Sequence, residues 1–143
     1  MTKVVLASAS PRRHELLRQI GVDFEVRAPY IDESPLAGES PVDYVRRVAV
    51  AKGSAVDRAV DELVIAADTT VDLDSEILAK PLDAAEAASM LRSLSGRSHL
   101  VHTGVAVFSG SLQLVEVCTT SVAFVPLAVA LMPTCTSTAP YTF

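Results

Sequence analysis

The sequence predicts an α/β domain built on a mixed, twisted β-sheet with flanking helices. Short apolar strands alternate with segments of helical periodicity, which is typical of βαβ units. The last two strand-like segments follow each other directly, as in an antiparallel hairpin. The length of 143 residues fits one domain, and the composition, 50% hydrophobic and 20% charged, indicates a globular chain.

The first βα unit lies at the start of the chain. Residues 3–8 are predicted to form a buried strand, and Pro11 suits the first turn of a helix, where its missing N–H costs nothing. This helix is expected to end near Ile20, because Gly21 is a typical residue after a helix end. Its predicted apolar face contains Leu16, Leu17 and Ile20.

The middle of the chain repeats this order. Residues 22–29 alternate as a strand does, and after a polar loop a helix is expected from about Val42 to Asp61, with Tyr44 on its apolar side. The run ELVIAAD is predicted to be a central strand that ends in the acid Asp68.

The second half is expected to contain a hairpin or loop, one more helix and a final hairpin. Residues 69–81 form the hairpin or loop, and residues 83–96 form the helix. Two long strands then pair through a turn at Ser109-Gly110-Ser111.

Charge and cysteine content exclude several classes of protein. A net charge of −5 without a basic block argues against binding to a nucleic-acid backbone. Cys118 and Cys135 form neither a disulfide framework nor a zinc pattern. The chain shows no signal peptide and no membrane-spanning stretch, so we expect a cytoplasmic protein without membrane or nucleic-acid partners. Homodimer formation stays open.

The end of the chain differs from the rest in composition. Glu116 is the last charged residue, and the segment after it lacks helical or strand periodicity. An outer helix of such a domain would normally carry charges. We therefore expect a domain over residues 1–125 and an atypical uncharged tail over residues 126–143.

The turn after the first strand is a candidate phosphate site. Ser8, Arg12 and Arg13 stand where a strand passes into a helix. Amide groups at a helix start favour an anion, and arginine matches phosphate oxygens with its forked donors. The alternative reading is a helix cap with two surface arginines.

Further candidates are charged residues spread along the chain. Asp68 is expected at a strand end, where a carboxylate can activate water or hold a divalent cation, although it could also cap a turn. Glu33, in an acidic loop, could join it. Lys52 and Lys80 are candidate anion ligands or surface residues. We interpret His99 and His102 as structural or surface groups.

Taken in order, the motifs resemble those of the Maf family of nucleoside triphosphate pyrophosphatases. These motifs are LASxSPRR, DE, YVRRVAxxK, VIAADTTV, ILAKP and MLRSLSGRxHxVHTGVAV, and they extend from Lys3 to about Phe124. The resemblance implies a fold similar to the inosine-triphosphate pyrophosphatase group, with a nucleotide cleft. It also implies cleavage between the α- and β-phosphates, assisted by Mg²⁺ or Mn²⁺.

The resemblance also implies roles for individual residues. Asp68 matches the proton acceptor and, with Glu33, the metal site. Arg12-Arg13 together with Asp68-Thr69 resembles the branch that acts on dTTP and UTP rather than on 7-methyl-GTP. The matching substrate-binding positions are Ser8, Arg12, Arg13, Lys52, Thr69 and Lys80.

The chain departs from the family pattern at three places. Gly53 stands where the family usually has alanine, and Ala79 replaces a glycine, which is expected to strain or shift Lys80. Family members also continue through a YVxTGEP segment, and we hypothesise that a truncation or frame change near Pro126 replaced it.

Two alternatives to the pyrophosphatase stay open. One is a nucleotide-binding regulator of septum formation without turnover. The other is a nucleotidyltransferase, which Ala9 and Pro11 make less favoured.

Overall fold

The computed structural model of the protein describes residues 2–128, so most of the predicted tail, residues 129–143, lies outside the described residues. The element order confirms the predicted α/β class. The first elements are β1 (Lys3–Ala7), α1 (Pro11–Gln19), β2 (Phe24–Val26), α2 (Pro41–Ser54) and β3 (Glu62–Leu73). They are followed by β4 (Glu76–Leu78), α3 (Ala84–Leu94), β5 (Ser98–Ser109) and β6 (Leu112–Ala123).

The six strands form one mixed sheet in the order β2-β1-β3-β5-β6, with β4 paired to β3. β1 pairs in parallel with both β2 and β3, whereas β3, β5 and β6 are antiparallel neighbours. The chain therefore moves from β1 outward to β2 and back to β3, and right-handed crossovers place α1 and α2 on opposite faces of the sheet.

Helix α2 covers one face of the sheet and forms the core there. At Gly53 the helix lies so close to β5 that an added Cβ would be 2.1 Å from Phe108 Cε2, which explains glycine at this position. At Gly104 an added Cβ would lie 2.4 Å from the Val45 carbonyl oxygen. The buried cluster between α2 and the sheet contains Val5, Ala7, Ala49, Val64, Ala66, Ala106 and Phe108.

Helix α2 is shorter than the sequence predicted, since it ends at Ser54 rather than near Asp61. The backbone groups that a longer helix would use are bonded elsewhere. Arg27 Nη1 donates to the Asp57 carbonyl at 2.7 Å, and the Ala59 N–H donates to Glu62 Oε2 at 2.8 Å. These contacts come from residues distant in sequence or in the next strand, so helical periodicity does not reveal them.

Strand β3 is longer than predicted, and Asp68 lies in its middle rather than at its end. The parallel partner β1 stops at Ala7, opposite Ala66, but β5 continues to pair with β3 as far as Asp72. The prediction was therefore wrong about where the strand ends. Asp68 nevertheless lies just beyond the carboxyl end of β1, so β1 does not pair with β3 at this residue.

The predicted apolar face of α1 is not buried by the described part of the chain. Leu16 is 55% exposed and Ile20 is 72% exposed, and no residue of α1 is buried. The boundaries of α1 agree with the prediction, because Gly21 takes a positive φ of 74° directly after the helix end.

The predicted final hairpin is confirmed, and residues 69–81, for which a hairpin or a loop was expected, contain a hairpin. Asp74 and Ser75, both with positive φ, form the two-residue turn between β3 and β4, and Gly110-Ser111 joins β5 to β6. Ala79 is not among the positive-φ residues of the described chain, so the expected strain at that position is absent. Among the described residues, no helix has the length and apolar character needed to cross a membrane.

Candidate active site

The candidate site lies where β1 ends beside the middle of β3. The carboxyl end of β1 is followed by buried Ser8, and Asp68 is placed two residues beyond the last parallel pair, Ala7 with Ala66. An edge of this kind, beyond the carboxyl end of a parallel strand, is where open α/β sheets bind ligands. Successive side chains of β3 point to opposite faces, so Asp68 faces α2 and Thr69 faces the side of α1.

Lys52 of α2 joins two carboxylates at this edge. Its Nζ atom donates to Asp68 Oδ1 at 2.7 Å and to Glu33 Oε2 at 2.9 Å. Lys52 is 6% exposed and Asp68 is 5% exposed, so water screens this contact weakly. One ammonium group is therefore shared by two acids that come from a loop and a central strand.

The surroundings of Asp68 raise the pKa of its carboxyl group, which makes it a better proton acceptor. Burial raises the pKa of the Asp68 carboxyl above its ordinary value, and the nearby Glu33 carboxylate acts in the same direction. The hydrogen bond and charge of Lys52 oppose this rise. A carboxylate with a raised pKa holds a proton more readily than an exposed one, which is the property that a general base requires.

Lys80 lies at the outer side of the same cluster. Its Nζ atom is 4.0 Å from Glu33 Oε2, and its side chain is 62% exposed. Lys80 is therefore accessible to a ligand that arrives from solvent, whereas Lys52 is buried and contacts Glu33 and Asp68. The structure thus brings together four residues that the sequence singled out, which are Glu33, Lys52, Asp68 and Lys80.

A second group of predicted residues lies around Arg13. Arg13 Nη1 donates to the Ala67 carbonyl at 2.9 Å and to Ser8 Oγ at 3.5 Å, while Nη2 donates to Thr69 Oγ1 at 3.2 Å. Burial lowers the pKa of Arg13, against the opposing charges of Asp68 and Glu33. The guanidinium ties the turn after β1 to the middle of β3.

Arg12 is not brought into either group. It is exposed on the first turn of α1 and has no hydrogen bond or salt bridge to the other predicted site residues in the described chain. At the same turn, Ser8 Oγ accepts the Ser10 N–H at 3.2 Å, and Ser10 forms no side-chain cap of α1. The helix start is thus not capped by its own serine, which suits an anion.

Two residues at the site were not singled out from the sequence. Tyr44 donates its hydroxyl to the Glu33 carbonyl at 2.9 Å, and Thr103 Oγ1 lies 3.0 Å from Thr69 Oγ1. Tyr44 was assigned only to an apolar helix face, although a buried tyrosine normally needs a partner for its hydroxyl. Thr103 is opposite Thr69 in the sheet, a pairing that depends on the register of β5.

The donor set at the cluster is compatible with a hard divalent cation. Within residues 2–128 no group of three or more acidic, histidine or cysteine side chains forms a complete metal site. However, Mg²⁺ commonly uses only one or two carboxylates and takes its other ligands from substrate phosphates and water. The carboxylates of Glu33 and Asp68 lie close together, since both accept hydrogen bonds from the same Lys52 nitrogen.

Two proteins similar in sequence are both named dTTP/UTP pyrophosphatase. A dTTP/UTP pyrophosphatase of Symbiobacterium thermophilum is 49% identical over 129 residues, which is 90% of this chain and 66% of the relative. A protein of the same name from Sphingopyxis alaskensis is 55% identical over 108 residues, 75% of this chain and 57% of the relative. The chain thus spans 66% and 57% of the length of these two relatives, which is less than two thirds in both cases.

The fold and the family are also supported by comparison. The Staphylococcus aureus Ham1 protein aligns with a TM-score of 0.58 over 83% of this chain and 70% of its own, at 18% identity, which shows a shared fold. The family model described as Maf-like protein matches residues 3–138. That match includes almost the whole chain, and the chain therefore belongs to the family of Maf-like proteins.

Proposed function

We propose that this protein hydrolyses UTP and dTTP to the nucleoside monophosphate and pyrophosphate. The principal observation is the buried Asp68, held beside Lys52 and Glu33 at the open end of β1. Membership of the Maf-like family and the activity of the similar dTTP/UTP pyrophosphatases support the same conclusion. Since the chain spans at most 66% of those relatives, its own turnover is part of the proposal.

In this proposal Asp68 accepts the proton of the attacking water. The water oxygen bonds to the α-phosphorus, the bond from that phosphorus to the bridging oxygen breaks, and pyrophosphate leaves. The raised pKa of Asp68 favours proton acceptance, and Lys52 keeps the carboxylate oriented before the reaction. Asp68 is the residue whose loss should stop the reaction.

The charge of the triphosphate is balanced by cations on both sides of the edge. Lys52 and Lys80 approach from the Glu33 side, while Ser8 and the first turn of α1 with Arg12 lie on the other. Arg13 already has partners in Ala67 and Thr69, so we assign it to shaping the phosphate turn as well as to adding charge. Glu33 and Asp68 would hold Mg²⁺ or Mn²⁺, which neutralises phosphate oxygens during the reaction.

Thr69 is proposed to contact the base. Its hydroxyl accepts a hydrogen bond from Arg13 and shares another with Thr103, which leaves it one position to donate to or accept from a ligand. A uracil or thymine edge offers both a carbonyl and an N–H. A site that hydrogen-bonds its base rejects a base that leaves buried polar groups without partners.

The test is release of pyrophosphate by the full chain from UTP, dTTP, GTP and 7-methyl-GTP, each with Mg²⁺ or Mn²⁺. We expect turnover of UTP and dTTP above that of the two guanosine nucleotides. If no nucleotide yields pyrophosphate, the proposed activity is wrong, and binding without turnover would support the regulatory alternative. A preference for 7-methyl-GTP would contradict the assignment of UTP and dTTP as substrates and the role of Thr69, whereas the proposed pyrophosphatase reaction would stand.

A further inference from the structure

Glu33 belongs to a loop without regular secondary structure between β2 and α2. Its carboxylate must nevertheless stay beside Lys52 and Asp68, which are fixed in a helix and a strand. A flexible loop would allow this carboxylate many positions, and restricting them has an entropic cost. The contacts that hold the backbone at Glu33 therefore determine how well the acid pair is formed.

Tyr44 provides one of these contacts directly at Glu33. Its hydroxyl donates to the Glu33 carbonyl oxygen at 2.9 Å, and Tyr44 itself is only 9% exposed. Its ring packs in a small buried cluster with Val45 and Val48, against which Ile31 of the same loop also lies. The hydroxyl is thus delivered to the loop by a side chain that has little freedom to move.

Tyr44 and Lys52 lie on the same stripe of α2. Tyr44, Val48 and Lys52 follow each other at intervals of four residues, and all three are buried against the sheet. Eight residues of helix extend about 12 Å, so the two side chains converge on Glu33 from separate turns. The helix therefore holds Glu33 twice, by its carbonyl through Tyr44 and by its carboxylate through Lys52.

Arg47 supports the next residue of the loop in a different way. Its Nη2 donates to the Ser34 carbonyl at 3.0 Å, and its guanidinium also pairs with Glu39 further along the same loop. Arg47 reaches the loop from the helix surface and does not contact Glu33. Its contacts hold the outer part of the loop, whereas the Tyr44 hydroxyl acts at the residue that enters the site.

From this geometry we propose that Tyr44 is a positioning residue that holds Glu33 in place to bind a divalent cation together with Asp68. The inference rests on the proposed function for the role of Glu33. It predicts that the Tyr44 hydroxyl affects metal binding more than it affects the chemical step, because its hydrogen bond is to the Glu33 carbonyl and not to Asp68, the proposed proton acceptor. It also predicts that the effect acts through the Glu33 carboxylate.

The experiment compares Tyr44→Phe with two matched controls in the full chain. Tyr30→Phe removes a hydroxyl from the same loop at a fully exposed residue, and Val48→Ala removes buried volume from the same stripe of α2. Binding of Mn²⁺ alone is measured by the electron paramagnetic resonance signal of free Mn²⁺. Thermal unfolding of each variant shows how much stability is lost.

We expect Tyr44→Phe to weaken Mn²⁺ binding about 3- to 10-fold, the range for loss of one hydrogen bond, while both controls keep the original affinity. In pyrophosphate release from UTP, the Mn²⁺ concentration for half-maximal rate should rise by a similar factor, and kcat at saturating Mn²⁺ should stay nearly constant. In a Glu33→Gln background, Tyr44→Phe should cause no further loss of Mn²⁺ affinity.

The proposal is overturned if Tyr44→Phe binds Mn²⁺ like the original chain, or if Val48→Ala weakens binding equally, because the effect would then be one of general stability. It is also overturned if the unaltered chain does not bind Mn²⁺ at millimolar concentration. Mn²⁺ binding without pyrophosphate release would contradict the proposed function, and the comparison of the variants would still decide the role of Tyr44.

Discussion

Two buried carboxylates on strand β3 differ in the direction in which their surroundings shift the pKa. Glu62, at the start of β3, and Asp68, in its middle, are each 5% exposed and each has a cationic partner. Arg27, followed by the Ala59 N–H, lowers the pKa of Glu62 to about 2. Burial instead raises the pKa of Asp68.

The number and kind of partners explain this difference. Both oxygens of Glu62 accept hydrogen bonds from Arg27 at 2.7 Å, and Lys3 lies 3.6 Å away. Asp68 receives one hydrogen bond from Lys52, and that ammonium is shared with Glu33. A fully paired carboxylate stabilises its ionised form, whereas a desolvated and partly paired one accepts a proton easily. This contrast supports the proposal that Asp68 is the acid that takes part in the reaction.

Replacing Asp68 should have the largest effect on turnover. Asp68→Asn removes the proton acceptor but little volume, so we expect UTP hydrolysis to fall on the order of 10²- to 10⁴-fold. The measurement is pyrophosphate release, with thermal unfolding as the control for folding. Retention of half the original rate would mean that Asp68 has only a structural role and would remove the contrast with Glu62.

Removing the shared ammonium should alter the pH dependence of turnover. In Lys52→Met, Asp68 loses the group that lowers its pKa, so that pKa should rise further. The acidic limb of the pH–rate profile, which requires ionised Asp68, should move to higher pH by roughly 1 to 3 units. An unchanged acidic limb would show that Lys52 does not control the ionisation of the base.

Much of this fold could be predicted from local sequence. The α/β order, the hairpin at Gly110 and the helix end at Gly21 follow from periodicity and from residues that favour positive φ. Asp68 and Glu33 were candidates because of a predicted strand end and an acidic loop, and the resemblance between motifs then implied their roles. Both kinds of signal are contained in short segments of the chain.

Features that depend on long-range pairing were not predictable in this way. Asp68 lies in mid-strand because β5 continues to pair beyond the end of β1. Helix α2 ends early because Arg27 binds the backbone that would extend it. The hydroxyl of Tyr44 meets Glu33 only after the loop folds back on the helix. In each case the deciding partner is remote in sequence, and no local propensity encodes it.

Replacing Glu62 should affect stability and leave the chemistry unchanged. Glu62→Gln removes the charge that Arg27 and Lys3 share, and these cations would then lie beside a neutral amide. We expect the midpoint of thermal unfolding at neutral pH to fall by several degrees. The kcat of the folded protein with UTP should stay the same. A fall in kcat without loss of stability would show that Glu62 and Asp68 are not functionally separate.

The smallest expected effect is the pH dependence of stability that Glu62 contributes. Its folded pKa of about 2 lies below its ordinary value of 4.5, so the ionised group stabilises the folded chain above that value. This stabilisation should be lost progressively as the pH falls from about 4.5 towards 2, because protonation ends the pairing with Arg27.

The measurement is urea unfolding of the original chain and of Glu62→Gln between these pH values. The difference in unfolding free energy between the two proteins should shrink as the pH falls. A constant difference would mean that Glu62 stabilises the fold through packing rather than through its charge, and the contrast with Asp68 would then not be one of ionisation.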